Sequence, residues 1–578
     1  MNEGDKITYF AETDYRNTKK RFGIKASDRT RHVYAIGKTG MGKSTLLENM
    51  AVQDIQNGNG LAFIDPHGGT VEKLLDYIPK ERINDVIYFA PFDMEYPVSF
   101  NVMEDVGYDK RHLVVAGLMS AFEKIWADAW SPRMSYILTN TLFALLEYPD
   151  STLLDINRML VEKDFRKKVV ENIKDPSIKS FWTEEFAKYT DRYTQEATPA
   201  IQNKVGQFVS NPLIRNIIGQ PKSSFDIRDI MDNKKILLMN LSKGRIGESN
   251  TNLLGSMLIT KIYLSAMSRA DLSPAELAQK PNFYFFVDEF QSFANKSFAD
   301  ILSEARKYKL NLTIAHQYIE QMEEEVRSAV FGNVGTMIVF RVGSFDAEIF
   351  EREFAPEFTA EDIVNLGFAQ IYLRLMIDGI SSKPFSATTL PPIAESVTSN
   401  REEVIKFSRD RYANPRDEVE AAIRERLSIG KEKINDSGAA KEKKNYTKNK
   451  SGDFQPHKKI EYKNTIIKNK SDIHDNQKRQ TKSFNDLSDN KNFISLSSLK
   501  NRSNKIENSE NKNQLREALS GILKEEETGK KTKEHDSSAP KSNNTSRNNS
   551  YNSSESIKNN PQYEQQEVPK EILKKILE

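Results

Sequence analysis

The stretch Gly37-Lys38-Thr39-Gly40-Met41-Gly42-Lys43-Ser44 matches the pattern G-x-x-x-x-G-K-[S/T] at every fixed position. It stands between a short apolar run at residues 32–36 and a helical pattern that starts at Lys43 and runs to about Gln56. Glycines let a backbone wrap phosphate groups with its N–H groups exposed, and the amino end of a helix favours negative charge. The stretch therefore predicts a nucleotide-binding P-loop.

The residue types of this loop predict a division of roles. Lys43 is placed to reach the β- and γ-phosphates, and the hydroxyl of Ser44 is placed to ligate Mg²⁺. The expected ligands are ATP and Mg²⁺. The candidate nucleotide-binding residues are Gly37, Lys38, Thr39, Gly40, Met41, Gly42, Lys43, Ser44 and Thr45.

Outward from the P-loop, short apolar runs alternate with helical patterns as far as residue 397. Strands are predicted at residues 32–36, 61–64, 86–89, 235–239, 282–287, 312–315, 336–340 and 371–375. Strands that alternate with helices favour a mostly parallel sheet covered on both faces. The predicted fold class is therefore α/β.

The strand pattern stops between about residues 104 and 226, where helical patterns such as 134–146 and 196–209 replace it. We predict an all-α domain inserted between two strands of the sheet. The expected plan is an N-terminal extension (1–30), an α/β domain in two parts (31–103 and 227–397), the inserted domain (104–226), a helical linker (398–430) and a tail (431–578).

The tail differs in composition from the rest of the chain. Asn, Lys and Ser make up 67 of its 148 residues, and its net charge of +9 contrasts with −7 for residues 1–430. Such a segment has too little apolar surface to offset the entropy of ordering, so we predict a disordered basic tail. Two apolar islands, at 513–523 and 569–577, are either transient helices or partner-binding motifs.

Several classes of protein are excluded by composition. The chain contains no cysteine, which rules out a disulfide scaffold, a thiolate zinc site and a cysteine nucleophile. The first residues are polar and lack the apolar core of a signal peptide, and no run approaches about 18 apolar residues. We expect a soluble, cytoplasmic protein.

The run Phe283-Tyr284-Phe285-Phe286-Val287 ends in two acids, Asp288 and Glu289. In P-loop NTPases a carboxylate at the end of a buried strand holds Mg²⁺, and an adjacent glutamate can polarise the attacking water. A strand that runs into a solvated acidic turn would show the same residues. Beside a P-loop, the pattern favours Asp288 as a metal-side acid and Glu289 as a general base.

Polar residues also follow two other predicted strands. Gln317, after Thr313-Ile314-Ala315-His316, is placed to sense the γ-phosphate or orient water, although it could be a polar strand cap. A lone histidine such as His316 is more often structural. Asp65-Pro66-His67-Gly68 ends the strand after the P-loop helix and predicts either a position near the nucleotide or a tight turn.

These motifs, together with residues 89–93 and 303–308, occur in one order along the chain. The series resembles the HerA/FtsK superfamily of P-loop motors, and within it the type IV secretion coupling proteins, over about residues 30–395. The resemblance implies a RecA-like motor domain, an inserted all-α domain and a ring of six subunits that pumps DNA by ATP hydrolysis. It makes Gln317 a sensor and Arg306 an arginine finger offered to the neighbouring subunit.

Two features depart from the family pattern. Coupling proteins usually begin with membrane-spanning helices, and no such helix is expected in this sequence. The pilus-assembly ATPases of the same systems have a large N-terminal domain, which is not expected here either. We therefore expect membrane contact only through partners, which would recruit the protein to the inner face of the cell membrane. The basic tail is the expected site for partner proteins.

DNA binding is expected to be independent of sequence. No helix-turn-helix, zinc-finger or RNP signature is present. The loop Lys243-Gly244-Arg245-Ile246-Gly247 could line a ring pore, or be an ordinary surface loop. Two alternatives to a coupling-type translocase remain: a soluble HerA-type helicase in DNA repair, and an ATP-switched assembly protein that does not move DNA.

Overall fold

The strand that leads into the P-loop lies inside a large sheet, with neighbours on both sides. The structure is a computed structural model, and it describes residues 3–14, 18–104, 107–190, 192, 197–394 and 398–428. The islands at 513–523 and 569–577, and the tail that contains them, lie outside the described residues.

The strands are β1 Ile7–Thr13, β2 Arg21–Lys25, β3 Val33–Ile36, β4 Gly60–Asp65, β5 Val86–Phe89, β6 Ile236–Asn240, β7 Phe283–Val287, β8 Leu310–His316, β9 Thr336–Val339, β10 Gln370–Arg374, β11 Met376–Ile377, β12 Ile380–Ser381 and β13 Phe385–Thr389.

The α-helices are α1 Ala26–Arg29, α2 Lys43–Gln56, α3 Gly69–Leu74, α4 Arg111–Ile125, α5 Pro132–Glu147, α6 Asp155–Val161, α7 Lys163–Asn172, α8 Pro176–Ser180, α9 Pro199–Ser210, α10 Pro212–Ile218, α11 Ile227–Asp232, α12 Lys243–Ile246, α13 Glu248–Met267, α14 Pro274–Gln279, α15 Lys296–Glu304, α16 Glu324–Asn333, α17 Ser344–Phe354, α18 Ala360–Val364, α19 Arg401–Tyr412 and α20 Arg416–Ser428.

Within the described residues, eleven strands form one sheet in the order β2-β1-β13-β10-β9-β3-β8-β7-β4-β6-β5. The strands from β9 to β5 are parallel, so their carboxyl ends meet at one edge. The strands from β10 to β2 pair antiparallel. This arrangement confirms the predicted α/β, RecA-like class with a mostly parallel sheet, and it gathers the loops after seven strands along a single edge.

Side chains alternate across the sheet, as the pleat of a strand requires. In β3, Val33 and Ala35 join a core that includes Leu46 and Met50 of α2. Tyr34 and Ile36 point to the other face and join a core continuous with the apolar side chains of α4 to α10. The P-loop helix therefore covers one face of the sheet, and the helices between β5 and β6 cover the other.

Every described element between β5 and β6 is helical, where the sequence patterns predict helices. Those helices share a core with the sheet, and α13 packs along α4. Whether they form an independent domain stays a prediction, as do the other domain boundaries.

The eight predicted strands are all present, with ends that differ by one or two residues. The structure adds β1, β2 and β13, which extend the sheet on its antiparallel side and place part of residues 1–30 in it. Residues 398–428 form α19 and α20. The backbone N–H of Tyr88 in β5 donates to Oγ of Ser408 at 2.9 Å, so α19 lies against the outer strand.

Candidate nucleotide-binding and hydrolysis site

The P-loop joins β3 to α2, as predicted, and two of its glycines have backbones that other residues rarely adopt. Gly40 has φ 78° and Gly42 has φ 112°, both in the left-handed region. A Cβ atom at Gly40 would meet no atom within 4 Å, so open space lies above the loop. At Gly37 a Cβ would come within 2.5 Å of Cβ of Phe340, so that glycine is required by close packing on the loop after β9.

Lys43 lies at the first position of α2, and its ammonium group crosses the loop. Nζ donates to the carbonyl of Gly37 at 2.7 Å and to the carbonyl of Lys38 at 3.2 Å. Burial lowers the pKa of Lys43, while the nearby carboxylates of Glu289 and Asp288 act in the opposite direction. The cation is thus held over the loop by weak neutral acceptors, which a phosphate oxygen can replace.

Ser44 and Asp288, far apart in the sequence, are joined directly. Oγ of Ser44 donates to Oδ2 of Asp288 at 3.0 Å, and Oδ1 of Asp288 accepts from the backbone N–H of Glu289 at 2.9 Å. Burial, reinforced by the negative charges of Asp65 and Glu289, raises the pKa of Asp288 to about 6. A buried carboxylate under this repulsion is stabilised by a cation.

Glu289 has the left-handed conformation, with φ 47° and ψ 48°. Two amides hold its carboxylate: Nε2 of Gln291 donates to Oε2 at 2.6 Å, and Nε2 of Gln317 donates to Oε1 at 2.9 Å. Nε2 of His67 is 4.0 Å from Oε1. The structure therefore brings together the two residues that the sequence singled out as base and sensor, at the ends of β7 and β8.

Asp65 ends β4 at the same edge, but its carboxylate is used locally. Oδ1 accepts from the backbone N–H of His67 at 2.7 Å, and Oδ2 accepts from that of Thr70 at 2.8 Å. These bonds close a turn and cap the start of α3. Of the two interpretations of this motif, the tight turn describes its geometry, while its charge still acts on Asp288.

His316, at the end of β8, is fully buried. Burial and the charge of Lys43 lower its pKa to about 3, so the ring is neutral at physiological pH. Its centroid lies 5.4 Å from the ring of Tyr34. The residue packs inside the sheet, in line with a structural role.

Arg306 lies away from this group of residues. It is exposed on a short 3-10 helix, Ala305–Tyr308, that precedes β8. Its charge contributes, after burial, to lowering the pKa of His32 to about 4, and His32 immediately precedes β3. Both positions are at the amino edge of the sheet, and the seven residues of β8 span roughly 20 Å. The chain does not bring Arg306 to its own P-loop.

The residues at this edge fit Mg²⁺ together with a nucleotide. A hydroxyl and a carboxylate are oxygen ligands of the kind that Mg²⁺ prefers, and proteins usually supply only one or two of them beside substrate phosphates. No group of three His, Cys, Asp or Glu side chains in the described part of the chain could hold a metal ion on its own. The burial of the Asp288 carboxylate against the Ser44 hydroxyl, close to the charges of Asp65 and Glu289 that help to raise its pKa, favours a cation here.

Sequence patterns missed the roles of Gln291 and Lys124, and they singled out Lys243 only as part of a basic loop. Gln291 positions Glu289, and the loop that contains Gln291 is contacted by Lys124 of α4 and by Lys243 of α12. Lys124 precedes Gln291 by 167 residues, and no local signal connects them. The predicted basic loop starting at Lys243 is a short helix, and its first backbone N–H donates to the carbonyl of Pro66 at 2.8 Å, at the carboxyl edge.

None of the helices described above combines the length and the apolar character needed to cross a bilayer.

Residues 21–357, more than half of the chain, match the sequence family of the type IV secretion-system coupling protein DNA-binding domain. Among solved structures, the chain is similar to plasmid coupling protein TrwB with a non-hydrolysable GTP analogue (16% identity, 69% of this chain, 98% of that chain, TM-score 0.49). It is also similar to TrwB with ADP and Mg²⁺ (15% identity, 68% of this chain, 96% of that chain, TM-score 0.49). A third similar structure is VirB4 of Thermoanaerobacter pseudethanolicus (12% identity, 68% of this chain, 98% of that chain, TM-score 0.42). No curated protein matches. The assignment of this chain to a family therefore rests on the sequence match over residues 21–357.

Proposed function

The chain belongs to the type IV secretion-system coupling protein family, and on that premise we propose that it is an ATP-hydrolysing DNA translocase. It would couple DNA to a type IV secretion or conjugation-like transfer system. The observation that carries the proposal is the carboxylate of Glu289, fixed by Gln291 and Gln317 beside the Ser44–Asp288 pair. A site for binding alone has no need of a second, oriented acid.

In this proposal, Lys43 leaves the carbonyls of Gly37 and Lys38 to contact the β- and γ-phosphates of ATP. Ser44 and Asp288 would hold Mg²⁺, which when bound neutralises charge on the phosphate oxygens. Because Asp288 is buried beside two other carboxylates, binding of the cation also relieves their repulsion. The P-loop N–H groups, from Gly37 to Thr45, orient the phosphate chain.

Glu289 is the proposed general base. Its two oxygens accept hydrogen bonds from different amides, so the carboxylate has a fixed plane, and its side chain is only 10% exposed. A water held by Glu289 would face the γ-phosphate from the side of β7 and β8. Gln317, bonded to the same carboxylate, is placed to respond when that phosphate is present or absent.

We further propose that hydrolysis requires assembly into a ring of six subunits. Arg306 is exposed at the amino edge, and its own P-loop is at the opposite edge, so it could act only on a nucleotide bound by a neighbour. The DNA contacts would be to phosphates and independent of sequence, repeated around the ring from short loops such as Lys243–Ile246. Partners bound through the tail would recruit the protein to the cytoplasmic face of the membrane.

ATP hydrolysis by the full chain, with and without single-stranded or double-stranded DNA, tests this proposal. We expect Mg²⁺-dependent hydrolysis that DNA accelerates, and movement along DNA in a strand-displacement or roadblock assay. Lys43→Ala is the control for contaminating ATPases. Hydrolysis that no DNA affects would instead favour an ATP-switched assembly protein, and the absence of any hydrolysis would overturn the proposal.

A further inference from the structure

The loop that follows Glu289, residues 290–295, is held from two sides by lysines. One is Lys124 of α4, in the helices between β5 and β6. The other is Lys243 of α12, at the end of β6. We call residues 290–295 the catalytic loop, because Gln291 within it fixes the carboxylate of Glu289 at 2.6 Å.

Lys124 forms the inner contact. Its Nζ donates to the carbonyl of Gln291 at 2.6 Å and to the carbonyl of Ala294. Burial lowers the pKa of Lys124 to about 8, with a smaller contribution in the same direction from the charge of Lys243 and an opposing one from Glu323. A desolvated ammonium bound to two carbonyls fixes the backbone on either side of Ser292.

Lys243 forms the outer contact. Its Nζ donates to Oγ of Ser292 at 2.9 Å, and the carboxylate of Glu248 is 3.7 Å away. The side chain of Lys243 is 27% exposed, so an anion in solution can reach it. A hydroxyl is a weak partner for an ammonium compared with a phosphate oxygen. The Lys243–Ser292 bond is therefore one that nucleic acid can displace.

The surroundings of Lys243 favour nucleic-acid phosphate as that anion. Arg245, two residues later on the same short helix, is exposed and stacks on the ring of Phe92, with 3.4 Å between the guanidinium carbon and the ring centroid. Displacing Lys243 toward a phosphate would also move its positive charge away from Lys124. The helix thus presents two cations, of which only Lys243 is bonded to the catalytic loop.

We propose that Lys243 senses DNA for the hydrolysis site: a backbone phosphate draws its ammonium from Ser292. The side chains of Gln291 and Glu289 then turn into the arrangement that hydrolyses ATP, while Lys124 continues to hold the backbone of the catalytic loop. This inference rests on the proposed function and names its regulation. Lys124 and Ser292 are positioning residues in it. Without DNA, the Lys243–Ser292 bond restrains the loop and keeps the basal rate low.

Ser292→Ala tests the restraint without altering any charge. We expect a basal kcat raised by about tenfold or more, because the loss of one hydrogen bond to a charged group shifts an equilibrium by at least that factor. The KM for ATP should remain that of the wild type. DNA should bind more tightly, because Lys243 no longer has to leave Ser292, and it should add little further stimulation. Ser303→Ala, which removes an exposed hydroxyl outside the catalytic loop, is the matched control.

Lys243→Gln and Arg245→Gln separate sensing from binding. The Lys243 variant should lose DNA stimulation even at saturating DNA, whereas the Arg245 variant should need more DNA but reach the wild-type maximum. Full DNA stimulation of Lys243→Gln, or a basal rate of Ser292→Ala equal to that of the wild type, would overturn the inference. A wild-type enzyme that DNA does not stimulate would instead contradict the proposed function.

Discussion

The hydroxyl of Ser44 donates a hydrogen bond of 3.0 Å to the carboxylate of Asp288, across 244 residues of sequence. This contact joins the first turn of the P-loop helix to the end of β7. It also sets the two proposed Mg²⁺ ligands side by side before any cation binds. What opposes this arrangement is the charge of Asp288, buried near Asp65 and Glu289.

Asp288→Asn should stabilise the Mg²⁺-free protein. The pKa of Asp288 is raised from 3.8 to about 6 in the folded state, so the charged carboxylate lowers the free energy of unfolding by about 2–3 kcal/mol at neutral pH. This cost disappears as the pH falls from about 6 to 4, where the folded carboxyl is protonated. In EDTA, calorimetry should therefore show a higher Tm for the variant at pH 7.5 and nearly equal values at pH 4.5.

Asp128→Asn, which alters an exposed carboxylate, is the control for this experiment. It should leave the Tm unchanged at both pH 7.5 and pH 4.5. A variant Asp288→Asn that is less stable than the wild type at pH 7.5 would mean that the repulsion does not dominate. The same variant should have lost Mg²⁺-dependent hydrolysis.

Lys43→Ala and Glu289→Gln should fail in different ways. Removal of Lys43 takes away the ammonium that crosses the P-loop to reach the phosphates, so binding of a fluorescent ATP analogue should be lost. Glu289→Gln keeps Ser44 and Asp288, so ATP should bind with wild-type affinity while turnover falls by at least about 10². If the Glu289 variant hydrolyses ATP near the wild-type rate, another group is the base.

Arg306→Ala should bind ATP normally and fail to hydrolyse it, with a loss of about 10³ or more in rate. A mixture of this variant with Lys43→Ala should regain activity, because one subunit supplies the nucleotide and the other the arginine. Each variant alone should be inactive. Normal hydrolysis by Arg306→Ala would leave the residue as an ordinary exposed charge on its helix.

The buried pair Arg29–Asp54 should be a major determinant of stability. The guanidinium donates to both carboxylate oxygens, at 2.8 and 2.9 Å, and lies 3.8 Å above the ring of Tyr284. Asp54→Asn leaves this cation uncompensated and should cost about 3–5 kcal/mol in urea unfolding. The double variant Arg29→Met, Asp54→Leu should lose less than the single one. As a comparison, Glu304→Gln breaks the exposed ion pair with Lys307 and should lower the free energy of unfolding by less than about 1 kcal/mol.

Deletion of residues 431–578 should leave a folded protein that hydrolyses ATP, since the composition of this segment offers little to a core. Recruitment of partners and delivery of DNA should fail. The measurements are the melting transition and the ATPase rate of the truncated chain beside a transfer assay. Loss of the melting transition would show that the tail contributes to the fold.

The parallel part of the sheet could be predicted because its strands are buried on both faces and appear as short, continuous apolar runs. β2, at the outer edge, has a burial pattern of mostly partly exposed residues, and in β1 Tyr9 is 43% exposed. Such strands have no distinctive run of sequence. β2 pairs with β1, and β1 joins the rest of the sheet by pairing with β13, which is more than 350 residues away.

The same distinction applies to the site. The positions of Lys43, Asp288 and Gln317 could be predicted, because Lys43 begins a helix and the other two directly follow strands at the carboxyl edge. The contacts of Lys124 and Lys243 with the catalytic loop depend on tertiary packing of helices between β5 and β6 and after β6. For Asp65, the sequence predicts its position at the end of a strand. Its hydrogen bonds within the turn are known only from the structure.

The left-handed backbone at Glu289 sets stability and activity against each other. On conformational grounds alone, Gly or Asn suits φ 47° and ψ 48° better than Glu, whose occupancy there costs on the order of 1 kcal/mol. A selection for thermal stability would therefore enrich Glu289→Gly or Glu289→Asn and remove the carboxylate that Gln291 and Gln317 hold. Directed evolution of a more thermostable enzyme would therefore have to keep Glu289 unchanged and obtain stabilising substitutions at other positions.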